Sequence, residues 1–210
     1  PYERPPLSKD VLTGDAAESA VYLRVPQYYA DHAIEIWTGA AAESIDRDAQ
    51  QVALSDGRRL GYDRLLLATG SRVKRLPVPG ADLTGVQYLR TLADSRDLRD
   101  ALTEGTRVVI VGGGYIGLEV AAAAVKRGCD VTVLEGATTV MARQLAPELG
   151  AWFAEQHRAR GVAVVTGAQV AGFDARTDAP ERVGAVRCAD GSVYPADVVV
   201  VGVGVAPATD

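Results

Sequence analysis

Arg107-Val-Val-Ile-Val-Gly-Gly-Gly-Tyr-Ile-Gly-Leu-Glu-Val-Ala-Ala-Ala-Ala124 decides the fold of this chain. An apolar run, Val108 to Val111, enters the spacing Gly112-x-Gly114-x-x-Gly117 and leaves as an alanine-rich helix. A second apolar run, Asp130-Val-Thr-Val-Leu-Glu135, follows and ends on an acid. Glycine-rich turns alone are common. Strand, glycine turn, helix, strand and terminal acid in that order specify a dinucleotide-binding βαβ unit. Gly112 permits the tight turn, Gly114 lets backbone N–H groups approach a pyrophosphate, and Gly117 lets helix and strand pack closely. The helix start supplies the positive end for the phosphates. Tyr115 and Ile116, inside the turn, are candidate nucleotide contacts by position.

Glu135 chooses between cofactors. A carboxylate at this strand end accepts hydrogen bonds from the adenosine ribose hydroxyls and repels a 2′-phosphate. Gly136, Ala137, Thr138 and Thr139 bring no positive charge, and Arg143 is the first cation after them. The expectation is NAD(H) rather than NADP(H), with Arg143 a further candidate at the nucleotide site.

Composition narrows the class. A 210-residue chain with 48% apolar and 23% charged residues has the make-up of a globular protein with one large or two modest domains. A net charge of −5 and the lack of a basic run interleaved with aromatics argue against nucleic-acid binding. No apolar stretch reaches the roughly 18–20 residues of a membrane span. Cys129 and Cys188 form no C-x-x-C pair, and two histidines make a His-rich metal site a poor reading, so no metal is expected. The cysteine usage fits a reducing, cytoplasmic setting. A chain that begins at Pro1 without an initiator Met reads as an internal piece.

Along the chain, Ser8 and Asp10 are candidate helix caps, Tyr28 to His32 a short helix and Ile34-Glu-Ile-Trp37 a strand. Ala41 to Asp46, Gln51 to Leu54, the Asp56-Gly57 turn and Arg59 to Tyr62 form an antiparallel excursion. Leu65-Leu-Leu-Ala-Thr-Gly70 reads as a buried strand running into a glycine turn. Leu76-Pro-Val-Pro-Gly80 marks a boundary. Beyond it come a helix (Leu92 to Thr103), the βαβ unit, a helix (Ala146 to Arg160, with Pro147 in its first turn) and a third parallel strand (Val162 to Val165). A second excursion then spans Ala168 to Phe173, Val183 to Ala189, the Asp190-Gly191 turn and Val193 to Tyr194. It leads to Ala196-Asp-Val-Val-Val-Val-Gly-Val-Gly204, a buried strand ending in glycines. Trp37 and Trp152 are expected in the core, and both cysteines as small buried hydrophobes.

Two modules thus share one design, an α/β pair of Rossmann-like, three-layer ββα units. Only the second carries its glycine fingerprint here, so the first is expected to be incomplete. The boundaries that follow are residues 1–75 for a partial first module, 76–203 for the second, and 204–210 for a return into the first.

Tyr2-Glu-Arg-Pro-Pro-Leu-Ser-Lys9, Tyr62-Asp-Arg-Leu-Leu-Leu-Ala-Thr-Gly-Ser71, Gly112-Gly-Gly-Tyr-Ile-Gly-Leu-Glu119 and Ala196 to Gly204 resemble the NADH-dependent, FAD-containing ferredoxin reductases, within the disulfide-reductase-like flavoprotein fold. The resemblance runs in order along essentially the whole chain, and Arg-Pro-Pro-Leu-Ser-Lys is its most specific piece. It implies that residues 1–75 are part of an FAD-binding domain and residues 76–203 an NAD-binding domain. It also implies an electron relay from NADH through FAD to a small 2Fe-2S ferredoxin that supplies an oxygenase, and it allows a homodimer.

By motif, Arg4, Pro5 and Lys9 should line the flavin, and Ala42 should touch the adenine through its backbone. Ala68, Thr69 and Gly70 should border the FAD cleft, and Arg90 should face FAD. Val203 and Gly204 join the cofactor-binding set. The resemblance makes Lys9 and Glu119 a catalytic ion pair at the nicotinamide–flavin contact, with a buried lysine favouring the anionic reduced ring. Read without it, Lys9 is a solvated loop cation and Glu119 a helix-surface acid.

Relatives that reduce disulfides or act as NADH oxidases place a redox cysteine just after this motif, where this chain has Lys9-Asp-Val-Leu-Thr-Gly14. A flavin NADH oxidase or peroxidase is therefore the disfavoured enzymatic reading. A non-catalytic NAD-binding module similar to apoptosis-inducing factor is the reading from another class. Arg72, Lys74 and Arg75, with Arg58, Arg59 and Arg64, are either a basic docking face for an acidic ferredoxin or an ordinary charged surface.

Overall fold

The computed structural model describes residues 1–209. In chain order its elements are α1 (Asp10–Thr13), α2 (Pro26–Asp31), β1 (Ala42–Asp46), β2 (Gln51–Leu54), β3 (Arg59–Gly61), β4 (Ser71–Val73) and β5 (Val86–Gln87). They continue as α3 (Leu92–Ala101), β6 (Arg107–Val111), α4 (Tyr115–Lys126), β7 (Asp130–Glu135), α5 (Pro147–Arg158), β8 (Ala163–Thr166), β9 (Val170–Ala175), β10 (Val183–Cys188), β11 (Val193–Pro195), β12 (Val198–Val201) and β13 (Val205–Pro207). No helix among the described residues is long and apolar enough to cross a membrane.

The chain divides into two compact units. The first comprises Pro1, Leu23–Gly70 and the chain's last residues from Ala208; the second comprises Tyr2–Tyr22 and Ser71–Pro207. This division falls elsewhere than positions 75 and 203, because β4 pairs with β13 and carries Ser71–Val73 and Val205–Pro207 into the second unit, and tertiary contacts bind Tyr2–Tyr22 there as well. Glu18 pairs with Arg96 at 2.6 Å and Arg99 at 3.5 Å, Lys126 pairs with Asp15, and Ser95 Oγ donates to Leu7 O. Leu7, Val11 and Val21 form a small buried cluster of their own.

The second unit is built on a parallel sheet ordered β5-β12-β6-β7-β8. Alternation along each strand sorts side chains to two faces. Val108, Ile110, Val131, Val133 and Val200 point into a core shared with α3, α4 and α5. Val109, Val111, Leu134, Val199 and Val201 point the other way, toward Phe173, Val183 and Val186 of the β9-β10-β11 sheet. Helices on one face and an antiparallel excursion on the other make the three-layer ββα design expected from the sequence. Local chemistry sets the helix starts: Thr91 and Asp94 close a capping box on α3, and Pro147 opens α5. β4 and β13 add a short antiparallel pair that the sequence reading missed.

In the first unit, β1, β2 and β3 form the expected antiparallel excursion, and α2 the expected short helix. Four expectations are corrected. Ile34–Trp37 forms no strand, and Leu65–Gly70 is neither strand nor buried, with Leu66 88% exposed. A run of β-favouring residues becomes a strand only when neighbours complete its hydrogen-bond ladder, and among the described residues no strand pairs with either run. Ser8 and Asp10 cap no helix by side chain; Lys9 occupies the α1 cap position, and Ser8 bonds elsewhere. Trp37 and Trp152 lie at the surface, 39% and 54% exposed. Arg58 stacks over the Trp37 ring, and Trp152 meets Phe153 edge to face. Cys129 and Cys188 are free and buried.

Candidate functional site

The glycine turn lies between β6 and α4, and the three glycines do different things. A side-chain carbon at Gly117 would stand 2.0 Å from Gly112 O, so helix and strand touch there. Gly112 has φ +107°, and a carbon on it would meet Gly202 O at 2.6 Å, which fixes the β12 end beside the turn. Gly114 is the opposite case: nothing lies within 4 Å of such a carbon. Open space at the glycine expected from the sequence to admit a ligand, beside first-turn N–H groups that no helix satisfies internally, is a form that can receive a phosphate. Tyr115 and Ile116 flank it, 54% and 42% exposed.

Glu135 ends β7 beside this turn. Its Oε2 accepts from Gly113 N–H at 2.6 Å and its Oε1 from Ala137 N–H at 2.8 Å. Both oxygens are thereby fixed, and each keeps a lone pair able to accept a further hydrogen bond. Sequence reasoning missed the segment that braces this arrangement. Met141 N–H donates to Gly113 O at 2.9 Å from a buried residue held at φ +57°, and Val140 packs against Gly113. A left-handed methionine carries no sequence signal. Arg143 follows on the exposed part of this segment, and its guanidinium approaches Gly204, as does the Lys74 chain. Val203 packs on the core beneath.

Lys9 and Glu119 meet. Lys9 Nζ lies 2.8 Å from Glu119 Oε1, with the side chains 48% and 27% exposed, so the lysine is half exposed rather than buried. Lys9 Nζ also donates to Pro5 O at 3.3 Å. Ser8, 2% exposed, donates to Glu119 Oε2 at 2.5 Å. Arg4 and Pro5 are exposed beside them in sequence. Arg90 Nη2 donates to Ser71 Oγ at 2.5 Å, while its Nε is buried without a partner, an unspent donor suited to an acceptor on a bound molecule.

In the first unit, Ala42, Ala68 and Thr69 share a shallow depression of about 200 Å³ with Ile45, Val52 and the Leu65–Leu67 run. Thr69 Oγ1 donates to Ala208 O, and Gly70 O accepts from Ala208 N–H at 3.0 Å. Of the six cations read as a possible docking face, Arg58, Arg59 and Arg64 belong to the first unit and Arg72, Lys74 and Arg75 to the second. Arg58 is taken up by Asp56 at 2.6 Å, and Arg75 stacks over Tyr88. A groove of about 480 Å³ between α4 and α5, lined by Trp152, Phe153 and His157 among others, holds none of the candidate residues.

Residues 1–210 match the family described as pyridine nucleotide-disulphide oxidoreductase. The chain belongs to that family. It is 47% identical over 210 residues to putidaredoxin reductase of Pseudomonas putida, covering 99% of this chain and 50% of that protein. It is 44% identical to rhodocoxin reductase of Rhodococcus erythropolis, covering 99% and 48%. Among solved structures it is similar to a covalent putidaredoxin reductase–putidaredoxin complex, with a TM-score of 0.92 and 47% identity over 98% of this chain and 50% of that one. The chain spans about half the length of the relatives it matches.

Proposed function

We propose that this chain is part of a flavoprotein oxidoreductase that passes electrons from NADH through FAD to a small 2Fe-2S ferredoxin serving an oxygenase. The observation that carries the reading is the pairing of Lys9 with Glu119. It joins the Arg-Pro-Pro-Leu-Ser-Lys motif to the helix of the nucleotide turn, which a plain NAD-binding module has no need to do.

In this reading the turn Gly112–Gly117 takes the NADH pyrophosphate, with Tyr115 and Ile116 bordering it, and Glu135 holds the ribose. Arg143, Val203 and Gly204 border the same nucleotide. Arg4, Pro5, Lys9 and Arg90 would line the flavin; by motif alone, Ala42, Ala68, Thr69 and Gly70 belong to the FAD-binding set. When bound, FAD would accept the hydride and release single electrons. Lys9 keeps a positive charge where negative charge develops, and Glu119 keeps that ammonium in place. The absence of a cysteine in Lys9–Gly14 supports outward electron transfer over dithiol or peroxidase chemistry. The relatives named as reductases of redox partners support a ferredoxin acceptor, and the cysteine usage supports a cytoplasmic setting.

The test is made on the complete flavoprotein. Flavin absorbance should copurify, and cytochrome c reduction by NADH should depend on added ferredoxin. The enzyme should favour NADH over NADPH, and Glu135→Arg should shrink or invert that preference by about 2–3 kcal/mol, the scale of charged hydrogen bonds. An unchanged preference ratio would remove Glu135 from the nucleotide site.

A further inference from the structure

The Lys9–Glu119 pair has a third member. Ser8 Oγ lies 2.5 Å from Glu119 Oε2 and 3.4 Å from Pro5 O. A hydroxyl has one proton to give, and the short, charge-assisted contact takes it. The carboxylate is thereby divided, Oε2 to Ser8 and Oε1 to Lys9.

The two donors differ in how firmly they are held. Lys9 is half exposed on a flexible stem. Ser8 is 2% exposed in a turn anchored on both sides: Ser95 Oγ donates to Leu7 O at 2.7 Å, and Lys9 N–H donates to Pro6 O at 3.1 Å. Leu7 and Val11 around it are buried. A surface ion pair alone does little to fix a long side chain. A buried hydroxyl on a rigid turn does. We infer that Ser8 is a positioning residue: it clamps Glu119 Oε2 so that Oε1 is aimed at Lys9, and the ammonium is held in one place. This deepens the reading above, on which it rests only for what the pair does beside FAD.

The first experiment needs no flavin. Lys9 of the chain is acetylated with a limiting amine reagent, and its labelling is read by mass spectrometry against Lys74. In Ser8→Ala, Lys9 labelling should rise by up to about tenfold, the factor that the loss of one charged hydrogen bond allows, and should approach the level in Glu119→Gln. Lys74 labelling should not change. Ser8→Cys, which keeps the volume but donates weakly, should behave as Ser8→Ala, and Ser8→Thr should restore low labelling. Wild-type labelling of Lys9 in both Ser8→Ala and Ser8→Cys, alongside a rise in Glu119→Gln, overturns the inference.

The second experiment uses the complete flavoprotein. Ser8→Ala should lower the limiting rate of flavin reduction by NADH and leave the apparent Kd for NADH unchanged. Raised Lys9 labelling with an unaltered reduction rate would retain the clamp and reject the pair's placement at the flavin.

Discussion

Leu65-Leu-Leu-Ala-Thr-Gly70 and Val198-Val-Val-Val-Gly-Val-Gly204 each follow an antiparallel excursion with an Asp-Gly turn, and each ends in small residues. Yet β12 lies between β5 and β6, with Val198 to Val201 5% exposed or less. Leu65, Leu66 and Leu67 are 40%, 88% and 65% exposed, and no strand pairs with them among the described residues. The side chains are equally apolar. What differs is whether flanking strands complete the ladder, which is a property of the neighbours and not of the run.

The comparison breaks most easily by placing a charge in each run. Val200→Asp would bury an unpaired carboxylate at a site 1% exposed and should cost about 4 kcal/mol or more, enough to unfold the second unit. Leu66→Asp should change stability by less than about 0.5 kcal/mol. Urea unfolding of each variant reads the contrast, and equal losses would mean that Leu65–Gly70 is packed after all.

A finer contrast lies within the glycine turn. Gly117→Ala puts a carbon 2.0 Å from Gly112 O, and relieving that clash should cost about 2–3 kcal/mol. Gly114→Ala enters open space at φ −82° and should leave the melting temperature almost unchanged. It should nevertheless weaken NADH binding, because the added methyl fills the cradle. Thermal melts paired with NADH titrations separate the two effects. Loss of stability in Gly114→Ala without loss of binding would reverse the roles assigned here.

The second unit was legible because its signals are local and its partners lie within the same chain. The glycine turn, the acid Glu135 at the end of β7 and the alternating valines each carry their own pattern, and the sheet pairs runs that the sequence marks except β5, which carries no such signal. The approach of Lys9 to Glu119 came from resemblance, since no periodicity links a loop cation to a distant helix. Ile34–Trp37 and Leu65–Gly70 misled because strand propensity says nothing about who will pair. Ser8 was read as a cap because a serine before a helix usually is one; its carboxylate partner is tertiary. The attachment of Tyr2–Tyr22 to α3 and α4 is tertiary too, carried by ion pairs such as Glu18 with Arg96.

The smallest expected effect concerns the acids that precede the two runs, Asp63 and Asp197. Asp197 accepts from Arg107 Nη2 at 2.6 Å, from its Nε at 2.9 Å and from its backbone N–H at 3.1 Å, with Arg176 at 3.6 Å. Hydrogen bonding from Arg107 holds the Asp197 carboxyl below its ordinary value, against a partial loss from burial. A carboxyl whose folded value is depressed binds fewer protons folded than unfolded. Its stabilisation is therefore full above the unfolded carboxylate range and is lost as pH falls through the folded value. Both partners are partly solvated, so the contribution is at most about 1 kcal/mol. Among the described residues Asp63 makes no ion pair. Asp197→Asn should thus destabilise the chain near neutral pH, with the penalty vanishing in acid, while Asp63→Asn should be neutral throughout. Unfolding curves for the two variants across pH decide it: a penalty for Asp197→Asn that persists undiminished in acid would assign the effect to shape or hydrogen bonding rather than to the charge.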